Sequence, residues 1–353
     1  MKPQENFMVW KIIIALLFFG FMILSHEFGH FITARLFKVG VNEFAIGMGP
    51  KIISRKSKKS GTAYSIRALP IGGFVSLVGE DEESDRDDAL TKKPWWQRFI
   101  ILLAGSFMNI LTAVVAMFIL LSLSPYYPTT YIADREGYSV IEDSVLSDYG
   151  VQDGDKIVKI NGEKMNVWQD VSYKIMMDGT EPLDIVIERD GEEILLEDVS
   201  FNTQEVEGLL CGVVDFSPLY VKRSVGTLMR EAVFQSFSTV KMILSSLTDL
   251  ITGRYGLEAV SGPVGTVEVI AESVSQGFKP LLYLFVFVSM NLGVFNLLPI
   301  PALDGGRIVF VLIEAIRGKP IKPQHEGIVH AVGMVLLLLF MAVVMVNDII
   351  KLA

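Results

Sequence analysis

Three apolar runs, Phe7 to about Phe37, Phe99 to Leu123 and Val329 to Val346, each supply about the 20 residues a helix needs to cross a bilayer core. A fourth, Leu281 to Ile300, is as apolar but ends in prolines. Lipid offers the backbone no hydrogen-bond partners, so such runs are expected to fold as helices that satisfy themselves. With 51% hydrophobic residues across 353 positions, a single water-facing domain is excluded. The first run lacks a small-residue cleavage site and continues straight into His26, Glu27 and His30, so it is expected to be retained and not removed as a leader.

Charge divides the remainder of the chain. Residues 38 to 98 hold eleven Lys or Arg, five of them between Lys51 and Lys59, which assigns this loop to the cytoplasmic side. Residues 134 to 215 hold twenty-one Asp or Glu against six Lys or Arg, as expected of a folded extracytoplasmic domain. The net charge of −9 argues against a nucleic-acid partner.

Within the acidic stretch, Lys156 to Gly162 reads as a strand entering a turn, Leu183 to Glu188 as a strand running into Asp190-Gly191, and Trp168 to Met177 as a helix. The order of Gly150, Gly154 to Ile157, Ile160-Asn161-Gly162, helix and strand resembles the PDZ family over about 80 residues, a resemblance that implies capture of a peptide C-terminus at a sheet edge. Ser224 to Thr252 places apolar residues at helical spacing among Ser, Thr and Lys, which suits an amphipathic helix against the membrane or the spans. The expected fold is a polytopic α-helical membrane protein of about four transmembrane helices. It carries a cytoplasmic-side β-hairpin region and an inserted extracytoplasmic PDZ-like β-rich domain. The expected divisions are residues 1–125, 126–217 (PDZ-like), 218–279 (helical connector) and 280–353.

The chemistry concentrates in His26-Glu27-Phe28-Gly29-His30. On a helix, positions i and i+4 share a face, so both imidazoles can reach one metal ion. Glu27 is turned about 100° from His26 and can stand beside the metal, where it can take a proton from an attacking water. The lone cysteine, Cys211, rules out a thiolate cluster and leaves His and carboxylate as metal ligands. Catalytic zinc takes three protein ligands and leaves a position open. The third is expected from Asp304, where Pro299, Pro301, Gly305 and Gly306 break an apolar segment and free backbone groups that lipid cannot satisfy. His26 lies 19 residues after Phe7, about 28 Å along a helix. Asp304 lies 23 residues after Leu281 in a span of the same direction, so the two can meet at similar depth.

These residues together resemble the site-2 protease family of intramembrane metalloproteases, in its bacterial PDZ-containing (RseP-like) branch. The resemblance covers nearly the whole chain. It is carried by His26-Glu27-x-x-His30, by Asn296-x-x-Pro299-x-Pro301-x-Leu303-Asp304-Gly305, by Gly262-Pro263-Val264-Gly265 and by Asn291-Leu292-Gly293. It implies that His26, His30 and Asp304 bind Zn2+, that Glu27 is the catalytic acid/base, and that Asn291 and Asn296 line the site or hold the substrate backbone. Asn109 of Gly105-Ser106-Phe107-Met108-Asn109 is a further polar candidate, with Ser106 where proline is usual, so a proline kink is not expected.

Tyr64 to Ala68 and Phe74 to Val78 read as two strands around the Pro70 to Gly73 turn. They are similar to the family's membrane-associated hairpin, whose edge can hold an unwound peptide, with Gly72, Gly73 and Phe74 as substrate contacts. The implied partners are the lipid bilayer and single-pass membrane proteins such as anti-sigma factors or remnant signal peptides. The implied location is the bacterial cytoplasmic membrane, with the active site near its cytoplasmic side. The competing reading is a PDZ-bearing membrane scaffold with a structural metal site, which the intact Glu27 argues against.

Overall fold

The computed structural model describes residues 3–80, 84–132, 144–206, 209–254, 256, 260, 262–319, 321 and 323–352. In chain order the elements are α1 (Pro3–Leu36), β1 (Val41–Lys56), β2 (Ala63–Leu77), α2 (Trp95–Ser122), β3 (Tyr126–Ile132), α3 (Val145–Asp148), β4 (Lys156–Ile160), β5 (Glu163–Lys164), α4 (Trp168–Asp178), β6 (Leu183–Arg189), β7 (Glu192–Val199), β8 (Thr203–Val206), β9 (Leu209–Gly212), β10 (Pro218–Lys222), α5 (Val225–Thr252), α6 (Pro263–Gln276), α7 (Phe278–Asn296), α8 (Asp304–Arg317) and α9 (Pro323–Leu352). They form two compact units, one of Met1–Ala116 with Ile243–Ala353 and one of Met117–Met242.

Four helices among the described residues are long and apolar enough to cross a membrane: Ile13–Leu36 within α1, α2, α7, and Gln324–Ile350 within α9. Glycine sets how closely three of them approach. A Cβ on Gly29 of α1 would stand 2.2 Å from the Ala104 carbonyl oxygen of α2, and one on Gly293 of α7 would stand 2.8 Å from Ile110 of α2. A side chain at Gly29 would push the two backbones apart, and one at Gly293 would have to displace the Ile110 side chain. α2 runs unbroken through Gly105 to Asn109.

The loop between α1 and α2 differs from a simple hairpin. Tyr64 to Ala68 and Phe74 to Leu77 both fall in β2, and they do not pair with each other. Instead β1 lies between them: Phe44 is opposite both Tyr64 and Val75, and Ala45 is opposite both Ser65 and Phe74. The outer half of β1 pairs Lys51–Lys56 with Ala63–Arg67. The inserted strand comes from more than twenty residues upstream, so local turn chemistry could not reveal it. Gly73 permits the packing, since a Cβ there would lie 2.6 Å from the Ala45 carbonyl oxygen. Glu43 ties the layers together, accepting from Ser65 Oγ at 2.5 Å and Arg67 Nη2 at 2.9 Å and pairing with Lys51 Nζ at 2.8 Å.

The second unit is built on a sheet of order β10-β3-β4-β6-β7, with β5 paired to β4. Asn161-Gly162 and Asp190-Gly191 adopt positive φ (48° and 76°, 51° and 86°), the geometry of two-residue turns that match strand twist. They join β4 to β5 and β6 to β7. Alternation along β6 sends Leu183, Ile185 and Ile187 into a core shared with Val171 and Ile175 of α4. Asp155 is 1% exposed yet fully matched. Arg189 grips both its oxygens, at 2.7 and 2.6 Å, and the Gln152 amide donates to it at 2.8 Å. Burial pushes this carboxyl upward, but the Arg189 hydrogen bonds, the Gln152 amide and the Arg189 charge together outweigh it and hold the group below the usual carboxylate range. Part of the expected PDZ-like stretch, residues 133–143, lies outside the described residues.

Candidate metal centre

α1 carries His26 and His30 one turn apart, as the spacing demands, with ring centroids 4.8 Å apart. Both are buried. Asp304 arrives from the first residue of α8, immediately after the break at Leu297–Leu303. Its Oδ2 lies 3.0 Å from His26 Nε2 and 3.2 Å from His30 Nε2, while the two ring nitrogens are 3.2 Å from each other.

The donor set fits a metal ion. All three ligand atoms lie within 4.8 Å of one another, and Asp304 Oδ2 is buried with no hydrogen bond of proper geometry. Three lone-pair donors converging in a protein interior form an arrangement that a bound cation satisfies. Two imidazole nitrogens and one carboxylate form the three-ligand set of a catalytic zinc site.

Outer contacts set the tautomers. His30 Nδ1 donates to the Ile101 carbonyl at 2.7 Å, which leaves the lone pair on Nε2, facing Asp304. Asn109 lies behind His26, its amide nitrogen 3.3 Å from His26 Nδ1, and its Oδ1 is buried without a partner. Turning the amide over lets Oδ1 accept from His26 Nδ1–H, so that His26 Nε2 also points its lone pair inward. Gly105, four residues before Asn109, makes room for both rings: a Cβ there would stand 2.3 Å from His30 Nε2 and 2.7 Å from His26 Nε2.

Glu27 is beside this cluster and not part of it. Its Oε2 accepts from the Val75 amide of β2 at 2.9 Å. Glu27, the two histidines and Asp304 line a chamber of about 190 Å³ with Phe74 and Val75. A larger cavity of about 370 Å³ shares Glu80, Leu102 and Arg307 with it. Arg307 Nη1 donates to Glu80 Oε1 at 2.5 Å, tying α8 to the end of β2.

Of the other residues expected at the site, Phe74 lines the chamber, and Gly72 and Gly73 lie in the same strand outside its lining. Asn291 donates to the Phe287 carbonyl of its own helix, and Asn296 ends α7; neither lines the chamber. Sequence reasoning passed over Gly105, Glu80 and Arg307 as site residues. The fourfold spacing of Gly105 and Asn109 on α2 was the available signal for Gly105. Arg307 stands three residues after Asp304 on α8 and so faces the same side.

The profile of Peptidase family M50 matches residues 14–340. A Fusobacterium nucleatum protein bearing a zinc metalloprotease name is 38% identical over 96% of this chain and 98% of its own length. The zinc metalloprotease RasP of Geobacillus kaustophilus is 31% identical over 97% and 98% of the two chains, and the regulator of sigma-W protease RasP of Bacillus subtilis is 30% identical over 96% and 98%. These matches span α1 and α8, the two helices that carry the donors. The chain belongs to peptidase family M50, the site-2 proteases, and is a multi-pass membrane zinc metalloprotease.

Proposed function

We propose that this protein hydrolyses peptide bonds in or near the transmembrane segments of single-pass membrane proteins. The observation that carries the reading is the chamber itself. His26 and His30 lie on α1, a helix of membrane-spanning character, and Asp304 meets them from the start of α8, just after the span α7, with Glu27 and a strand of β2 beside them. His26, His30 and Asp304 would hold the zinc, which when bound would supply Lewis-acid polarisation of the scissile carbonyl and of water. Glu27 takes the proton of the attacking water and returns it to the leaving amine. A substrate helix must unwind first, because its carbonyls are already hydrogen-bonded. The Gly73–Leu77 stretch of β2, with Phe74 facing the chamber, can hold the unwound segment by strand addition, aided by Gly72 and Gly73. Asn291 and Asn296 are assigned to the substrate backbone through the family motif.

The basic 38–98 loop supports a cytoplasmic-side active site in the bacterial cytoplasmic membrane, with the acidic 126–217 segment outside. We assign that PDZ-like segment to substrate filtering by size first, and to capture of a peptide C-terminus second. The sigma-W regulator name of the Bacillus relative supports anti-sigma factors as one substrate class, with remnant signal peptides as another. In reconstituted bilayers a single-pass substrate should be cut within or at the edge of its membrane segment, dependent on zinc and on Glu27. Cleavage confined to parts remote from the membrane would overturn the reading.

A further inference from the structure

The break before Asp304 is supported from the last span. Between α7 and α8, Pro299 and Pro301 have no N–H to donate, and Leu298, Ile300 and Leu303 donate to Phe295, Leu298 and Ile300 within the same stretch. Ala302 differs. Its φ of 81° is one that side-chain-bearing residues rarely adopt, and its amide leaves the loop altogether. It donates to His330 Nδ1 on α9 at 2.9 Å.

One turn further along the same face of α9 is Gly333, where a Cβ would stand 2.3 Å from the Pro301 side chain and 2.7 Å from its carbonyl oxygen. On its other side the loop presses on α8: a Cβ on Gly305 would lie 2.0 Å from the Leu298 carbonyl oxygen, and one on Gly306 2.5 Å from that of Ile300. The loop therefore has a wall on each side, and His330 supplies a bond that draws Ala302 toward α9. Asp304 follows two residues later. Phe310 of α8 also contacts the His330 ring, with centroids 5.6 Å apart, which keeps that ring against the helix Asp304 begins.

We propose that His330 is a positioning residue of the metal centre: through the Ala302 amide, and with Gly333 as backstop, it holds Asp304 where it meets His26 and His30. The inference rests on Asp304 being a zinc ligand. An ordinary core histidine would support α9 and leave metal affinity unchanged, which separates the two roles.

The test is zinc affinity of the purified full chain, by chelator competition, for wild type, His330→Leu, His330→Asn, Gly333→Ala and Asp304→Ala. Outer contacts of metal ligands are worth about 10–100-fold in affinity, so His330→Leu and Gly333→Ala should each weaken zinc binding by about tenfold or more. His330→Asn places an acceptor oxygen where Nδ1 stood and should remain close to wild type. Wild-type affinity in either His330→Leu or Gly333→Ala overturns the inference. So does an asparagine variant that falls as far as the leucine one, since ring volume and not the acceptor would then matter. If His330→Leu does not fold, Gly333→Ala and His330→Asn decide the question by the same criteria. Asp304→Ala separates the two levels: zinc retained there removes the ligand reading itself, whereas zinc lost there but kept in the α9 variants removes only the support.

Discussion

Asp155 in one unit and Asp304 in the other are both carboxylates withdrawn from water, and their surroundings could hardly differ more. Asp155 is gripped on both oxygens by Arg189 and on one by a backbone amide, so each of its oxygens has a donor. Asp304 presents Oδ2 to two imidazole nitrogens whose outer contacts make them acceptors as well. A matched buried charge closes a structure, because its desolvation is offset where it sits. A cluster of acceptors with no donor is incomplete without a cation. That contrast distinguishes support from chemistry without reference to any motif.

The comparison can be broken most severely at Glu27. Glu27→Gln should retain zinc and fold but lose proteolysis by on the order of 10²–10⁴-fold, since the amide keeps the shape and cannot accept a proton. Measured turnover within tenfold of wild type would remove the catalytic assignment. Next in size, Asp304→Ala should lose zinc by at least about 100-fold in affinity, while Asp304→Glu should retain part of it because zinc accepts either carboxylate within reach. Metal analysis of both proteins checks this.

On the matched side, Asp155→Ala should lower the melting temperature of the 117–242 unit by about 5 °C and leave zinc content untouched. Loss of zinc there would mean that the two kinds of carboxylate are not separable. The same pair gives a pH dependence. Its folded pKa is depressed, so its contribution is complete above the unfolded value of about 3.9 and disappears as the pH falls through the folded one. The smallest effect belongs to Glu43. Burial raises its pKa, but hydrogen bonds from Lys51, Ser65 and Arg67 outweigh that and bring it down to about 2. Hydrogen exchange in β1 and β2 should thus be flat above about pH 4.3 and accelerate, relative to the intrinsic rate, toward pH 2. An unchanged protection factor across that range would show the cluster to be inert.

How far the sequence could be read followed the range of the forces involved. The His26–Glu27–His30 arrangement was legible because helical geometry alone puts i and i+4 together, and the strands entering Asn161-Gly162 and Asp190-Gly191 were legible because those dipeptides prefer one turn geometry. Asp304, 274 residues from His30, was found only through the prolines and glycines that disrupt its segment. Where long-range insertion decided the outcome, local pattern misled: Gly72-Gly73 resembled the turn of a hairpin, yet β1 separates the two halves of β2. Gly105 and His330 escaped notice for the same reason. A glycine that admits a ring shows only its helical spacing to Asn109, and a histidine that receives an amide from a loop has no local signature.

Of the four helices of membrane-spanning character, α7 has 19 residues while the others have 24, 28 and 27. At 1.5 Å per residue α7 reaches about 28 Å, just short of a typical hydrocarbon thickness of about 30 Å. The longer three can take up a thicker bilayer by changing tilt, and α7 has no length to spare because the break leading to Asp304 ends it. Of the four, α7 is thus the span most exposed to bilayer thickness, and lipid composition becomes a variable that bears on the segment placing Asp304.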